Sequence, residues 1–318
     1  MSDPISSSFI TLICYNLKME LEPVIHLTKA CNHKCIFCSR KDDPPENNTE
    51  IKEIIKNYKY TITFEGGEPT LSKNLIKWIK YAKKRKVREL MLVTNGFSLD
   101  KKENVEKLVK AGVDIFNINF PSHIEKIYDI LTGSKNYHKT IKAMENIIEI
   151  AGYEKLRLTY VVNSLNYRYL KGYANFLKKK LGKLFYLEIN MIKILGKVRN
   201  RLWLVPKLSL IKKSIDEGFS EFEKKNINFM VDGIPLCYMK NFEDKNIDVF
   251  NLMNGGSFSV NEKRKTIICR NCDIKEICSG PRIDYVSLYG YDELKPVKNK
   301  KLIGQIKKKL LNQHLNFN

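Results

Sequence analysis

The sequence predicts an α/β protein built on a parallel sheet, followed by a smaller region of different character. Two observations carry this. Short apolar runs rich in β-branched and aromatic residues alternate with amphipathic helical stretches from Val24 to Ile192, the pattern of βαβ units. After Val205 the alternation fades and a dense cysteine group appears. The alternation by itself allows either a barrel or an open Rossmann-like sheet.

The first strand is expected over Val24 to Leu27. The next stretch holds Cys31, Cys35 and Cys38 in the spacing C-x3-C-x2-C, with Phe37 just before the last cysteine. Lys41 to Asn48 reads as an exposed Pro/Asn-rich loop. Tyr60 to Phe64 is a strand that runs into Glu65-Gly66-Gly67-Glu68-Pro69-Thr70. Glycines there let the backbone approach a ligand closely, and Pro69 suits the first position of a helix. Four helix–strand pairs follow. Leu75 to Lys84 precedes Glu89 to Gly96, which contains Thr94 and Asn95; Lys101 to Ala111 precedes Asp114 to Phe120. Thr140 to Ala151 precedes Leu156 to Asn163, and Tyr169 to Leu181 precedes Phe185 to Ile192. With the first strand this gives six units.

Three thiolates on one tight loop can hold three irons of a [4Fe–4S] cube and leave the fourth iron open to a chelating cofactor. Half of a zinc site is the bland alternative, but zinc usually takes paired knuckles. The cysteine loop, the Gly66-Gly67-Glu68-Pro69 segment and the Thr94-Asn95-Gly96 segment together resemble the signatures of the radical S-adenosylmethionine (SAM) enzymes. The resemblance implies a partial (β/α)6 TIM-like barrel over residues 23–205, after an N-terminal extension over 1–22. It implies a SAM-binding [4Fe–4S] cluster on Cys31, Cys35 and Cys38. It implies cofactor contacts from Phe37, Gly66, Gly67, Glu68, Pro69, Thr94 and Asn95, with Glu68 accepting from the SAM ammonium. Asn119 stands where many relatives carry a serine, and Asn163 ends the fifth strand. For these two a cofactor contact and a loop-capping amide stay equally open.

The later cysteines are Cys237 and the group Cys269, Cys272 and Cys278, spaced C-x2-C-x5-C. Such a cluster in a reducing compartment points to a metal rather than disulfides. In this context the region 206–318 resembles the SPASM and twitch extensions, which carry auxiliary iron–sulfur clusters. Where the longer SPASM run places its next cysteine, this chain has Arg282. One auxiliary [4Fe–4S] cluster is therefore expected, with Cys237 as fourth ligand and a zinc ion as the competitor. Cys14 reads as a buried free thiol in an N-terminal strand, and Lys300 to Leu311 as a basic amphipathic helix.

The chain has 318 residues and a formal net charge of +21. No apolar run is long enough to span a membrane, and Met1 to Ser8 lacks a signal-peptide core, so the expectation is a cytoplasmic protein. Lysine greatly outnumbers arginine and the charges are scattered, which favours a solvated surface over a nucleic-acid site. The resemblance implies an enzyme that cleaves SAM reductively to a 5′-deoxyadenosyl radical and abstracts hydrogen from its substrate. Its partners would be an electron donor such as ferredoxin or flavodoxin and a peptide or small-molecule substrate. A peptide undergoing maturation or crosslinking is the first choice. Only about thirty residues precede Cys31, too few for a leader-recognition domain, so a separate recognition protein would be needed. The alternatives are a sugar or nucleoside dehydrogenase or decarboxylase, a tRNA-modifying enzyme, and a noncatalytic iron–sulfur or zinc scaffold.

Overall fold

The structure is a computed structural model and describes residues 23–40, 43–253 and 261–315, the side chains of 312–315 excepted. The N-terminal extension and Cys14 lie outside the described residues, as do the first two positions of the Lys41 to Asn48 loop. The chain forms two compact units. The larger comprises Glu22–Pro206 and Glu217–Phe229; the smaller comprises Lys207–Asp216 and Met230–Asn318.

The larger unit is built on parallel strands β1 (Val24–His26), β2 (Thr61–Glu65), β3 (Glu89–Thr94), β4 (Ile115–Asn119), β5 (Leu156–Val162) and β6 (Tyr186–Met191). Sheet order follows chain order without closing on itself, the arrangement of an open partial barrel. The sequence alternation did not anticipate β7 (Phe229–Asp232), the last strand in that order, which starts in the larger unit and ends in the smaller. It is four residues long and lies well past the regular alternation.

The expected helices are α2 (Leu75–Lys84), α3 (Lys102–Ala111), α5 (Tyr137–Ala151) and α6 (Leu170–Leu181). Three more were hidden in the pattern: α1 (Asn48–Asn57), α4 (Glu125–Thr132) and α7 (Leu208–Lys224). Helix α1 begins where a loop is expected because Asn47 caps it. The Asn47 side chain accepts from Thr49 and Glu50 main-chain N–H at 2.9 and 3.1 Å, and Glu50 accepts back from Asn47 N–H at 2.7 Å. Short helices α8 (Ile247–Met253) and α9 (Ile283–Tyr289) precede α10 (Leu302–Leu315), the expected C-terminal helix.

The sheet has two unlike faces. In β5, Leu156, Leu158, Tyr160 and Val162 are wholly buried, while Arg157, Thr159 and Val161 between them are half-buried. Side chains alternate across a strand. Register therefore puts Asn117 of β4, Arg157 of β5 and Tyr186 of β6 in one row, and Asn119, Thr159 and Glu188 in the next. The opposite face carries Ile62, Phe64, Leu90, Leu92, Phe116, Ile118, Leu187 and Ile189, all buried. Each such side chain contributes about 1.5–3 kcal/mol through burial. That face fixes the sheet and leaves the polar face free for chemistry.

Candidate active site

The three cysteines sit on a loop between β1 and α1 that is hung from its neighbours by main-chain bonds. Lys34 N–H donates to Thr132 O at 2.8 Å and Ile36 N–H to Leu131 O at 2.9 Å, both at the end of α4. Lys197 N–H donates to Cys38 O at 2.9 Å, and the Lys197 ammonium to Cys35 O at 3.1 Å. Cys31 is exposed, and Cys35 and Cys38 are half-buried. Burial and the neighbouring thiols push Cys35 up to about 12. Burial is also the largest cause of the upward shift at Cys31, and Glu68 and Cys38 add to it. Such thiols are protonated when free and release protons on binding a metal. Phe37 is buried beside them.

The two glycines make room for a backbone contact. Gly67 N–H donates to Thr28 O at 2.6 Å and Glu68 N–H to Ala30 O at 2.7 Å. A Cβ on Gly67 would lie 2.2 Å from Ala30 O, and one on Gly66, whose φ is +128°, 2.7 Å from Thr28 O. Their close approach is to the backbone leading into the cysteine loop. Glycine is required there because any side chain would push that loop away. Pro69 opens a single 3-10 turn, Pro69–Leu71, rather than a longer helix.

Glu68 is 1% exposed and its carboxylate is taken up by the protein. It accepts from Thr70 N–H at 3.1 Å, Thr70 Oγ1 at 2.6 Å, Thr94 Oγ1 at 2.6 Å and Asn95 N–H at 2.8 Å. Burial raises its pKa and these donors oppose the shift. Its observed work is to bolt the end of β2 to the end of β3. Asn95 then reaches the cysteine loop: its side-chain amide donates to Asn32 Oδ1 at 2.8 Å and lies 3.9 Å from Cys31 Sγ. Asn119, at the end of β4, holds a buried Oδ1 with no partner among the described residues. Asn163 makes the loop-capping contacts of the second of its two expected readings. Its amide donates to Val161 O at 2.9 Å and its Oδ1 accepts from Leu165 N–H at 3.0 Å, because the chain turns sharply after β5.

Sequence reasoning looked only at strand ends and missed the polar face below them. Arg157 is ion-paired with Glu188. Thr159 Oγ1 donates to Asn117 Oδ1 at 2.9 Å, and Asn190 Nδ2 to Glu188 at 3.1 Å. Nearer the cysteine loop, His26 Nε2 lies 3.0 Å from Glu65, and Arg40 Nε 2.8 Å from the same carboxylate. The hydrogen bond with Glu65 is the main cause of a raised His26 pKa, against burial. Polar residues at alternate strand positions, Asn117 and Asn119, Arg157 and Thr159, and Glu188 and Asn190, were the available signal.

In the smaller unit, Cys237, Cys269, Cys272 and Cys278 line one pocket with Pro235, Ile268, Ile274 and Leu294, and Lys265, Lys275 and Lys295 also border it. Burial, then the Cys278 thiol, pushes Cys237 up to about 12, with Cys269 and Cys272 adding to it. Main-chain N–H groups point at the sulfurs: Val297 at 3.4 Å from Cys272 and Gly280 at 3.4 Å from Cys278. Among the described residues, no three His, Cys, Asp or Glu side chains converge tightly enough for a single metal ion. Beneath Cys278 lies a buried ion cluster. The Lys263 ammonium bonds Asp232 at 2.5 Å and Asp248 at 2.6 Å, and Ser279 Oγ bonds Asp248 at 2.6 Å. Burial lowers the pKa of Lys263, but the two carboxylates outweigh it and the net shift is upward. No helix among the described residues is long and apolar enough to cross a membrane.

The chain is 27% identical over 208 residues to a GTP 3′,8-cyclase of Mannheimia succiniciproducens, a match that covers 61% of this chain and 60% of that protein. It is 27% identical over 230 residues to a probable GTP 3′,8-cyclase of Methanococcus aeolicus, covering 68% of this chain and 75% of that one. Among solved structures, a methylornithine synthase aligns with a TM-score of 0.49 and 11% identity over 98% of this chain and 89% of the other. The match to the radical SAM superfamily runs over residues 25–177, the span that holds the cysteine loop and strands β1 to β5. Enzymes of this family use a [4Fe–4S] cluster and SAM. The sheet, the loop and the match together identify residues 25–177 as a radical SAM superfamily domain.

Proposed function

We propose that the protein is a radical SAM enzyme acting on a nucleotide or nucleoside, with one auxiliary [4Fe–4S] cluster in its smaller unit. The observation that carries the first part is the three-thiol loop held against Asn95 and the Glu68 bolt. Its donor set suits a cube with one open iron. A cluster and SAM bound there supply a 5′-deoxyadenosyl radical for hydrogen abstraction. The chain's own residues supply position. Gly66 and Gly67 seat the loop on β2, Asn95 orders the side of Cys31, and the Asn119 carbonyl oxygen is free to accept from a ligand hydroxyl or amine.

The polar face favours a small, hydroxylated, charged substrate. Asn117, Asn119, Thr159, Glu188 and Asn190 offer donors and acceptors in adjacent rows, with Arg157 as the cation. Their fixed geometry would orient one carbon toward the radical. The names of the relatives point the same way, to a guanine nucleotide. The match spans only 60% of the Mannheimia protein, so its substrate is the first to test. This reading displaces the peptide, and with it the need for a leader-recognition protein. The smaller unit is read as SPASM- or twitch-like because Cys237 shares one pocket with the C-x2-C-x5-C group of Cys269, Cys272 and Cys278.

The test is anaerobic reconstitution with iron, sulfide and SAM, followed by release of 5′-deoxyadenosine in the presence of GTP, other nucleosides, sugars and short peptides. The expected result is stimulation by a nucleotide or nucleoside, lost in Arg157→Met while the unstimulated release persists. Stimulation by peptides alone would overturn the substrate reading.

A further inference from the structure

We infer that Tyr128 and Thr140 are positioning residues for the SAM-binding site, acting on the cysteine loop through Asn95. This rests on the radical SAM domain identified above. Tyr128 lies in α4 and Thr140 in α5, and both are wholly buried. Thr140 Oγ1 donates to Asn95 O at 3.1 Å, and Tyr128 Oη and Thr140 Oγ1 are 2.6 Å apart. Because the one hydroxyl proton of Thr140 goes to Asn95, Tyr128 is the donor of the shorter bond. Burial raises the Tyr128 pKa, which keeps that proton in place. A chain of hydroxyls thus runs from α4 through α5 to the turn that follows β3.

Asn95 receives this chain with its other polar groups already engaged. Its N–H donates to Glu68 at 2.8 Å, its Oδ1 accepts from Phe97 N–H at 2.9 Å, and its Nδ2 donates to Asn32 Oδ1 at 2.8 Å, beside Cys31. The Asn95 main chain is therefore gripped by Glu68 at its N–H and by Thr140 at its O. Gly96, at φ +78°, lets the turn lie against α5, where an added Cβ would stand 3.2 Å from Ala143 Cβ and 3.7 Å from Thr140 Cα. Tyr128 also meets the cysteine loop directly. The His33 ring stands perpendicular to the Tyr128 ring, with centroids 6.2 Å apart. Thr132 Oγ1 donates to Tyr128 O at 2.8 Å, and Thr132 O in turn accepts from Lys34 N–H. Tyr128 thus touches both Asn95's clamp and the loop that carries the thiols.

Packing alone does not explain these hydroxyls. Phenylalanine and valine would fill the same space without the cost of burying polar groups. Helical threonines commonly turn the hydroxyl to the carbonyl four residues back, as Thr132 does with Tyr128 O. Thr140 instead reaches outside its helix to Asn95. A satisfied buried polar chain fixes one arrangement where apolar packing tolerates several. Its far end is the residue whose amide lies 3.9 Å from Cys31 Sγ. Outer partners of this kind orient the ligands of a metal site and tune what it binds.

The test compares Thr140→Val, Thr140→Ser and Tyr128→Phe with Asn146→Ala. Asn146 makes a buried tie of the same kind from the same helix, donating to Leu99 O and Asp100 O at 2.9 Å each, farther along the chain from Asn95. Each protein is reconstituted anaerobically with iron and sulfide, and its iron content, its SAM affinity by equilibrium dialysis and its EPR spectrum with SAM are measured. Thr140→Val should bind SAM about tenfold more weakly at equal iron content, and the SAM-induced change in the spectrum should differ from that of wild type. Tyr128→Phe should show a smaller effect of the same kind, and Thr140→Ser should return to wild type. Asn146→Ala should lose stability yet keep wild-type affinity and spectrum. In the metal-free proteins, amide hydrogen exchange in the cysteine loop should quicken in Thr140→Val and Tyr128→Phe but not in Asn146→Ala. Wild-type affinity, spectrum and exchange in Thr140→Val would overturn the proposal. So would equal losses in Thr140→Val and Asn146→Ala, since both ties would then serve only the fold. If Thr140→Val does not fold, the nearly isosteric Tyr128→Phe decides, and wild-type behaviour in it overturns the proposal. A reconstituted wild type that binds no SAM would instead reject the radical SAM reading, while exchange in the metal-free proteins still decides for or against the clamp.

Discussion

The cysteine loop of the larger unit hangs from main-chain bonds to three neighbouring segments, whereas the cysteines of the smaller unit are gathered by loop turns over a buried ion cluster. In the first, the fastening points are peptide groups: Thr132, Leu131, Thr28 and Ala30 carbonyls, and Cys38 O receiving Lys197. Two side chains add to this, the Lys197 ammonium on Cys35 O and the Asn95 amide on Asn32, while Glu68 ties strand to strand rather than touching a sulfur. In the second, Ser279 follows Cys278 directly and is held by Asp248, which in turn holds Lys263. A loop fastened by its backbone can leave one side exposed, as at Cys31. In the smaller unit all four cysteines are half-buried, in a pocket lined by apolar side chains and by Lys265, Lys275 and Lys295. The two cysteine groups therefore differ in how they are fastened.

Breaking each fastening should expose the difference. Asp248→Ala leaves Lys263 buried with only Asp232, and removing one partner of a buried ion pair costs about 3 kcal/mol. Denaturant unfolding of the metal-free protein should show that loss. Reconstituted Asp248→Ala should also lose iron from the smaller unit while SAM cleavage survives. Equal loss of both would mean that the cluster of charges supports the whole molecule rather than one site.

The corresponding change in the larger unit is Glu68→Ala, which strands the buried Thr94 hydroxyl and Asn95 N–H. Unpaired buried groups cost roughly 1–3 kcal/mol, so the expected stability loss is about 2 kcal/mol, with a smaller loss in Glu68→Gln. SAM affinity, followed by equilibrium dialysis on the reconstituted protein, should drop in Ala and recover in part in Gln. Unchanged stability in Glu68→Ala would show that the bolt is not holding β2 to β3.

The sequence made one layer of this legible and concealed another. Strands such as Leu156–Val162 were visible because buried Leu, Tyr and Val recur at every second position. The spacing of Cys31, Cys35 and Cys38 was visible because ligands on one loop keep their spacing in the chain. That Cys237 shares a cavity with Cys269, Cys272 and Cys278 could only be suspected, since a long connection separates them. The polar face was missed because Asn117, Arg157 and Glu188 come from three strands and meet only through register. Helix α1 was missed because its Pro/Asn-rich approach reads as a loop, although Asn47 and Glu50 spell a capping box. Gly66 and Gly67 were seen as unusual, but the atoms they make room for belong to Thr28 and Ala30, and no local pattern shows that.

The central claim is that the two cysteine groups hold separate clusters, one that binds SAM and one that does not. Iron and zinc analysis with low-temperature EPR, on wild type and on the Cys31/Cys35/Cys38→Ala triple variant, tests it most directly. Wild type should carry about eight irons per chain and the triple variant about four. SAM should shift the EPR signal of reduced wild type and leave that of the triple variant unchanged, and only wild type should release 5′-deoxyadenosine. Cys237→Ala should disturb the remaining signal of the triple variant. One equivalent of zinc and no iron in the triple variant, or deoxyadenosine release that survives loss of all three thiols, would contradict the account.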